Sequence, residues 1–177
     1  MTLQIKHSIA GLLGISGIAL SSLVPGGPIE TRSFAHINPI TLGAFNTFLT
    51  TLALSSLLLI YFVLKSKRWA MLAAAVCGLS YLGVYGLDLA QIFPVSPDAM
   101  PLALLVIEVL GTILSFPLMV LSVQAMQALK QRRFTDTTFL RAENLPVFQI
   151  PQIIIAIGLG IIALGIITFA TYSAMGL

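Results

Sequence analysis

Five long apolar runs, separated by short polar or proline-rich segments, set the plan of this chain. A bilayer's hydrocarbon core is about 30 Å thick and takes roughly 20 residues of helix at a rise of 1.5 Å each. On that measure the predicted spans are 8–24, 41–64, 70–93, 101–129 and 151–175. Inside hydrocarbon no water satisfies a backbone amide, so such runs form helices, and none shows the two-residue alternation of a membrane strand. The expected fold is therefore all-α: a polytopic membrane protein, one domain over 1–177, with a bundle of five transmembrane helices.

The junctions carry helix-stopping residues. Pro25, Gly26, Gly27 and Pro28 end the first run and Pro39 precedes the second, leaving an outer loop over 25–40. Pro94, Ser96, Pro97 and Pro101 make the third turn, where Ser96 with Pro97 and Asp98 reads as a cap and first turn. Pro151 opens the last run, and Pro117 falls mid-span, where it removes one backbone hydrogen bond and is expected to kink the helix. The first run is the shortest. It follows Lys6 and His7, and Ala19-Leu20-Ser21 has the small residues of a cleavage site, so a signal peptide is the alternative and would leave four spans. Over 134–148, Phe134, Phe139, Leu140 and Phe148 alternate with Asp136, Arg141 and Glu143, a pattern that fits either an interfacial helix or a linker.

Composition agrees with the pattern. Of 177 residues 58% are hydrophobic and only 8% charged, against about 25% charged in a soluble domain. The surface must therefore face lipid over most of its area. The net charge of +3 points to topology rather than to nucleic acid, because the basic residues sit in short loops beside the spans. Lys6 precedes the first span, Lys65, Lys67 and Arg68 lie at loop 65–69, and Lys130, Arg132, Arg133 and Arg141 at loop 130–150. Only Arg32 falls on the other side. The basic loops are expected in the cytoplasm, with the N-terminus inside and the C-terminus outside. With no Asn-x-Ser/Thr acceptor, the chain fits a bacterial plasma (inner) membrane. Its one cysteine, Cys77, excludes a dithiol redox pair and a disulfide within one chain.

The candidate chemistry lies in polar residues within the apolar runs. Asp88 stands near the outer end of the third span and Glu108 near the outer start of the fourth, each about 8–10 Å below the boundary. Their spans are joined by a short loop, so the two carboxyls are expected at matched depth on touching helices. An ionised acid there costs up to roughly 2.5–3.5 kcal/mol. Protonation, a cationic partner or a watery cavity each relieves that cost. Tyr81 and Tyr85 share the Asp88 face at i, i+4 and i+7. Glu108, Thr112, Ser115, Met119, Ser122 and Met126 form a stripe on the fourth span, and Asn46 with Gln91 adds to an outer-half polar cluster. The outer loop carries Glu30, Arg32 and His36 and can fold over the bundle mouth to bring Arg32 to Asp88 or Glu108. Such stripes also serve simply as helix-packing faces. Glycines at 11, 14, 17, 78, 83 and 86, with Ala156 and Gly160, mark candidate close approaches.

No HExxH, P-loop or GxSxG motif is present, and His7 and His36 fall near opposite faces. No catalytic residue, metal site or cofactor is expected. Three readings follow. The first is a non-catalytic accessory or scaffold subunit that docks a membrane-protein partner or a second copy. The second is a proton- or cation-coupled small-solute carrier or binding subunit using Asp88 and Glu108. The last is a lipid-modifying enzyme with the acids as general acid and base.

Overall fold

The computed structural model describes residues 3–25, 27–135 and 150–176. These form five helices and no strand: α1 (Leu3–Ser22), α2 (Pro39–Leu64), α3 (Arg68–Leu89), α4 (Leu102–Thr135) and α5 (Ile150–Ala174). Three are long and apolar enough to cross a membrane: α2, α3 and α4 as far as Lys130. The first helix falls short of that standard because Gln4, Lys6, His7 and Ser8 occupy its opening turns. In the last helix the apolar stretch among the described residues is Gly160–Ala174. Residues 136–149, where an interfacial helix or linker was the expectation, lie outside the described residues.

Local sequence sets the helix ends. Asn38 caps α2, its side-chain oxygen accepting from Ile40 N at 2.9 Å, and Pro39 takes the first helical position, where its missing N–H is no loss. The third helix stops at Leu89, short of the predicted 93, because Gln91 turns left-handed at φ 53°. Ile92 N then donates back to Leu87 O at 2.9 Å. Pro117 sits inside α4 without ending it. Ser96 and Asp98 do not cap α4, which begins only after Pro101; both are engaged with the outer loop instead.

Helices α1 to α4 close into a ring in which each packs on the next and α4 returns to α1, with the most extensive contact between α3 and α4. Among the described residues α2 is the one helix on which α5 packs. Close approach rests on particular glycines. A Cβ at Gly78 would lie 3.1 Å from Met119 N, and one at Gly17 would lie 3.4 Å from Ala53 O. The tightest site is Gly111, where a Cβ would fall 2.3 Å from Cε2 of Tyr85. Gly11, Gly83 and Gly86 face open space.

The ring exterior is apolar, unlike that of a soluble bundle, while the interior combines an apolar core with a set of polar side chains. Large apolar side chains such as Ile18, Leu58, Leu79, Ile113 and Phe116 are exposed. The buried set includes Ser16, Asn46, Thr50, Ser56, Asp88, Glu108, Ser115 and Ser122. On α4 the inward row is Leu104, Glu108, Gly111, Ser115, Leu118, Ser122 and Ala125. Thr112, Met119 and Met126, which the stripe grouped with Glu108, are only half-buried.

The helix registers explain how the outer loop reaches the acids. Lys6 Nζ donates to Leu64 O at 3.1 Å, so the start of α1 is level with the end of α2. From there α1 runs 16 residues to Ser22, whereas α2 runs 25 back to Pro39. The nine-residue difference leaves α1 about 13 Å short of the α2 rim. The loop that follows α1 therefore starts inside the bundle mouth.

Candidate functional site

Residues 27–38 form a strap across that mouth. Phe34, 2% exposed, packs with Leu42 and Ala174, and its N–H donates to Ala174 O at 2.8 Å. Ser33 N donates to Asp98 Oδ2 at 2.7 Å, and Ser96 Oγ donates to Ser33 O at 3.0 Å. The strap is thus tied to α2, α5 and the α3–α4 turn.

Those ties deliver Arg32 to Asp88. Arg32 Nη1 and Nη2 donate to Asp88 Oδ1 and Oδ2 at 2.9 and 2.7 Å, a two-pronged bond that only a guanidinium can make. Its Nε and Nη2 also donate to the two oxygens of Glu30, at 3.0 and 2.7 Å. The Arg32 backbone N–H donates to Glu30 Oε1 at 3.0 Å. All three residues are buried, at 6% exposure for Arg32, 7% for Asp88 and 4% for Glu30. The guanidinium stands 5.3 Å from the Phe34 ring centroid. Burial works against its charge, but the hydrogen bonds and charges of Asp88 and Glu30 outweigh burial and hold Arg32 above the usual arginine range.

Glu108 lies beside Asp88 and also feels the charges of Arg32 and Glu30. It is 2% exposed, and its Oε2 has no hydrogen-bond partner. Next to it Tyr85 is equally buried, and its hydroxyl is also unpartnered. Glu30, Asp88, Glu108, Tyr85 and Asn46 share the wall of one cavity of about 40 Å3. Buried polar atoms are almost always paired, so two orphans on residues that line one cavity mark a place that takes a guest. By the measure of one water per roughly 10–15 Å3 of such space, the guest is small. Three carboxyls share one guanidinium, so the pocket lacks positive charge.

The remaining residues of the expected cluster separate. Tyr81 is buried below the pocket, stacked on Tyr85 with centroids 6.1 Å apart, and its hydroxyl donates to Ser56 Oγ at 2.8 Å. Asn46 Nδ2 donates to Thr171 Oγ1 at 3.2 Å, pinning α5 to α2. Thr112 spends its hydroxyl on Glu108 O at 2.8 Å. Gln91 is exposed in its left-handed cap, and His36 is exposed on the strap. Among the described residues no three His, Cys, Asp or Glu side chains are placed to hold a metal ion.

The model of one family, described as Domain of unknown function (DUF8051), matches residues 5–137, which is most of the chain. This chain belongs to that family. The DUF8051 match takes in α1 from Ile5 onward, α2 to α4 and the whole carboxyl pocket, and leaves α5 outside. No curated protein and no solved structure matches the chain.

Residues that pattern alone did not bring forward complete the site. Asp98 and Phe34 anchor the strap, Ser56 receives Tyr81, and Gly111 makes room for the Tyr85 ring. A glycine one turn after a buried acid, on the same helix face, is the signal that would have found the last of these.

Proposed function

We propose that this chain is a non-catalytic, five-span membrane protein, N-terminus cytoplasmic and C-terminus outside, that binds a proton or a small ammonium-type cation at Glu108 beneath the Arg32 strap. The observation that carries this reading is the free, fully buried Oε2 of Glu108 in a small cavity whose acids outnumber its cations. Arg32 spends four of its five N–H donors on Asp88 and Glu30, and its single positive charge is already outnumbered by those two acids before Glu108 is counted. A charged acid so placed costs several kcal/mol unless a cation or proton joins it.

The test is thermal melting of the purified protein in nanodiscs, across pH and across ammonium chloride and sodium chloride concentrations. A ligand that binds only the folded state adds about 2.7 kcal/mol of stability at a hundred times its Kd. Wild type is expected to gain stability on titration with protons or ammonium, and Glu108→Gln to lose that response. Identical curves for the two proteins rule the site out.

Orientation has its own test. In a Cys77→Ala background, Val95→Cys in intact cells is expected to react with a membrane-impermeant maleimide, and Lys65→Cys only after permeabilisation. The reverse pattern inverts the topology.

A docking role is the second reading, and the placement of α5 favours it. Of the helices, that one packs on α2 alone among the described residues, and it keeps Ile161, Ile162, Leu164 and Phe169 exposed. A partner helix fits there as lipid does.

A further inference from the structure

The carboxyl pocket is not isolated. It shares Leu20, Leu23, Pro25, Asn46 and Leu49 with a much larger cleft of about 510 Å3 between the end of α1, α2 and α5. The far wall of that cleft is α5, through Ile162, Gly165, Ile166 and Phe169. Its volume falls in the range of small-molecule sites, roughly 300–1,000 Å3. Its lining is almost wholly apolar, and it meets its polar neighbour at Asn46. Two adjoining compartments, one large and apolar, one small and acidic, describe a single elongated guest.

We propose that the paired compartments bind a long-chain amphiphile with a primary-ammonium head, its alkyl chain in the α1–α2–α5 cleft and its head against Glu108 Oε2. The proposal rests on the Glu108 reading above and gives its ligand a chemical class. Each property of the head follows from the pocket. It carries positive charge because Glu30, Asp88 and Glu108 share only Arg32. It donates hydrogen bonds because the free Oε2 of Glu108 accepts and the Tyr85 hydroxyl can accept. It is small because about 40 Å3 of such space holds only a few water-sized groups, and it is a primary ammonium rather than a trimethylammonium because the latter has no N–H to donate. A phospholipid phosphate meets like charge there and is rejected. The tail follows from the cleft, which has no charged residue in its wall.

Two substitutions separate head from tail. Gly165 lines the cleft, and a Cβ there meets nothing within 4 Å, so Gly165→Leu puts bulk into the cleft without a backbone clash. Glu108→Gln removes the charge that holds the head. The measurement is native mass spectrometry and thermal melting of the full chain with dodecylamine, butylamine, dodecanol and dodecyltrimethylammonium, alongside ammonium chloride. Wild type is expected to bind dodecylamine at least tenfold tighter than each of the other three. Gly165→Leu is expected to lose at least tenfold for dodecylamine while keeping the ammonium response, and Glu108→Gln to lose both. Equal binding of butylamine and dodecylamine, or of dodecylamine and dodecyltrimethylammonium, overturns the amphiphile while leaving the Glu108 site standing. The same follows if Gly165→Leu binds dodecylamine as wild type does. No response of wild type to ammonium, protons or any amine overturns both.

Discussion

Arg32→Ala is expected to lower the stability of the purified protein by about 3–5 kcal/mol, the range for removing one partner of a buried ion pair. The size of the effect comes from what is left behind rather than from the bonds lost. Asp88 and Glu30 stay buried at 7% and 4% exposure with no cation between them, and Glu108 adds a third acid alongside. Arg32→Lys keeps the charge but not the fork that spans Asp88 and Glu30, so it is expected to recover only part of the loss. Chemical or thermal unfolding in one detergent, with Asp88→Asn and the double variant completing a cycle, measures the coupling directly. A loss below about 1 kcal/mol would place the pair with exposed salt bridges and detach the strap from the stability of the bundle.

Gly111→Ala is the second large effect, and its sign decides between two principles. On an open helix alanine gains roughly 1 kcal/mol over glycine. At position 111 the added methyl falls 2.3 Å from Tyr85 Cε2 and 2.8 Å from Cδ2 and Cζ, atoms in the body of a buried ring rather than at a mobile tip. Stacked against Tyr81, that ring has a buried neighbour along one side. Overpacking of this kind costs about 1–3 kcal/mol, so a net loss is expected. Tyr85→Leu in the same chain is expected to restore part of it. Gly83→Ala, at a position open on all sides, is the control and is expected to be neutral or slightly stabilising. A stabilised Gly111→Ala protein would mean that α3 and α4 do not approach here as described.

These two sites also show what a sequence of this type can and cannot disclose. Length and hydropathy give each helix its height, and height was enough to set Asp88 beside Glu108 and to make Arg32 their candidate cation. Height does not give azimuth. Thr112, one turn along from Glu108, spends its hydroxyl on the Glu108 carbonyl of its own helix, and Gln91 has left the helix altogether. Nor does height reveal relative register. That α1 stops about 13 Å below the α2 rim follows from Lys6 meeting Leu64 and from Gly17 meeting Ala53, pairings between helices that no single-helix pattern encodes. The place of α5 outside the ring was likewise hidden, because a helix apolar on all sides reads the same in a ring as beside one.

The strap draws its partners from widely separated parts of the chain, and this sets an order of construction. During synthesis Glu30 emerges with Arg32 and can hold its guanidinium from the outset. Asp88 comes 56 residues later and completes the fork. Ala174, whose carbonyl receives the Phe34 amide, comes 140 residues after it. Glu30 therefore serves as a stand-in counter-ion for the unfinished protein. Closure of the outer face reports that the last helix has reached its place.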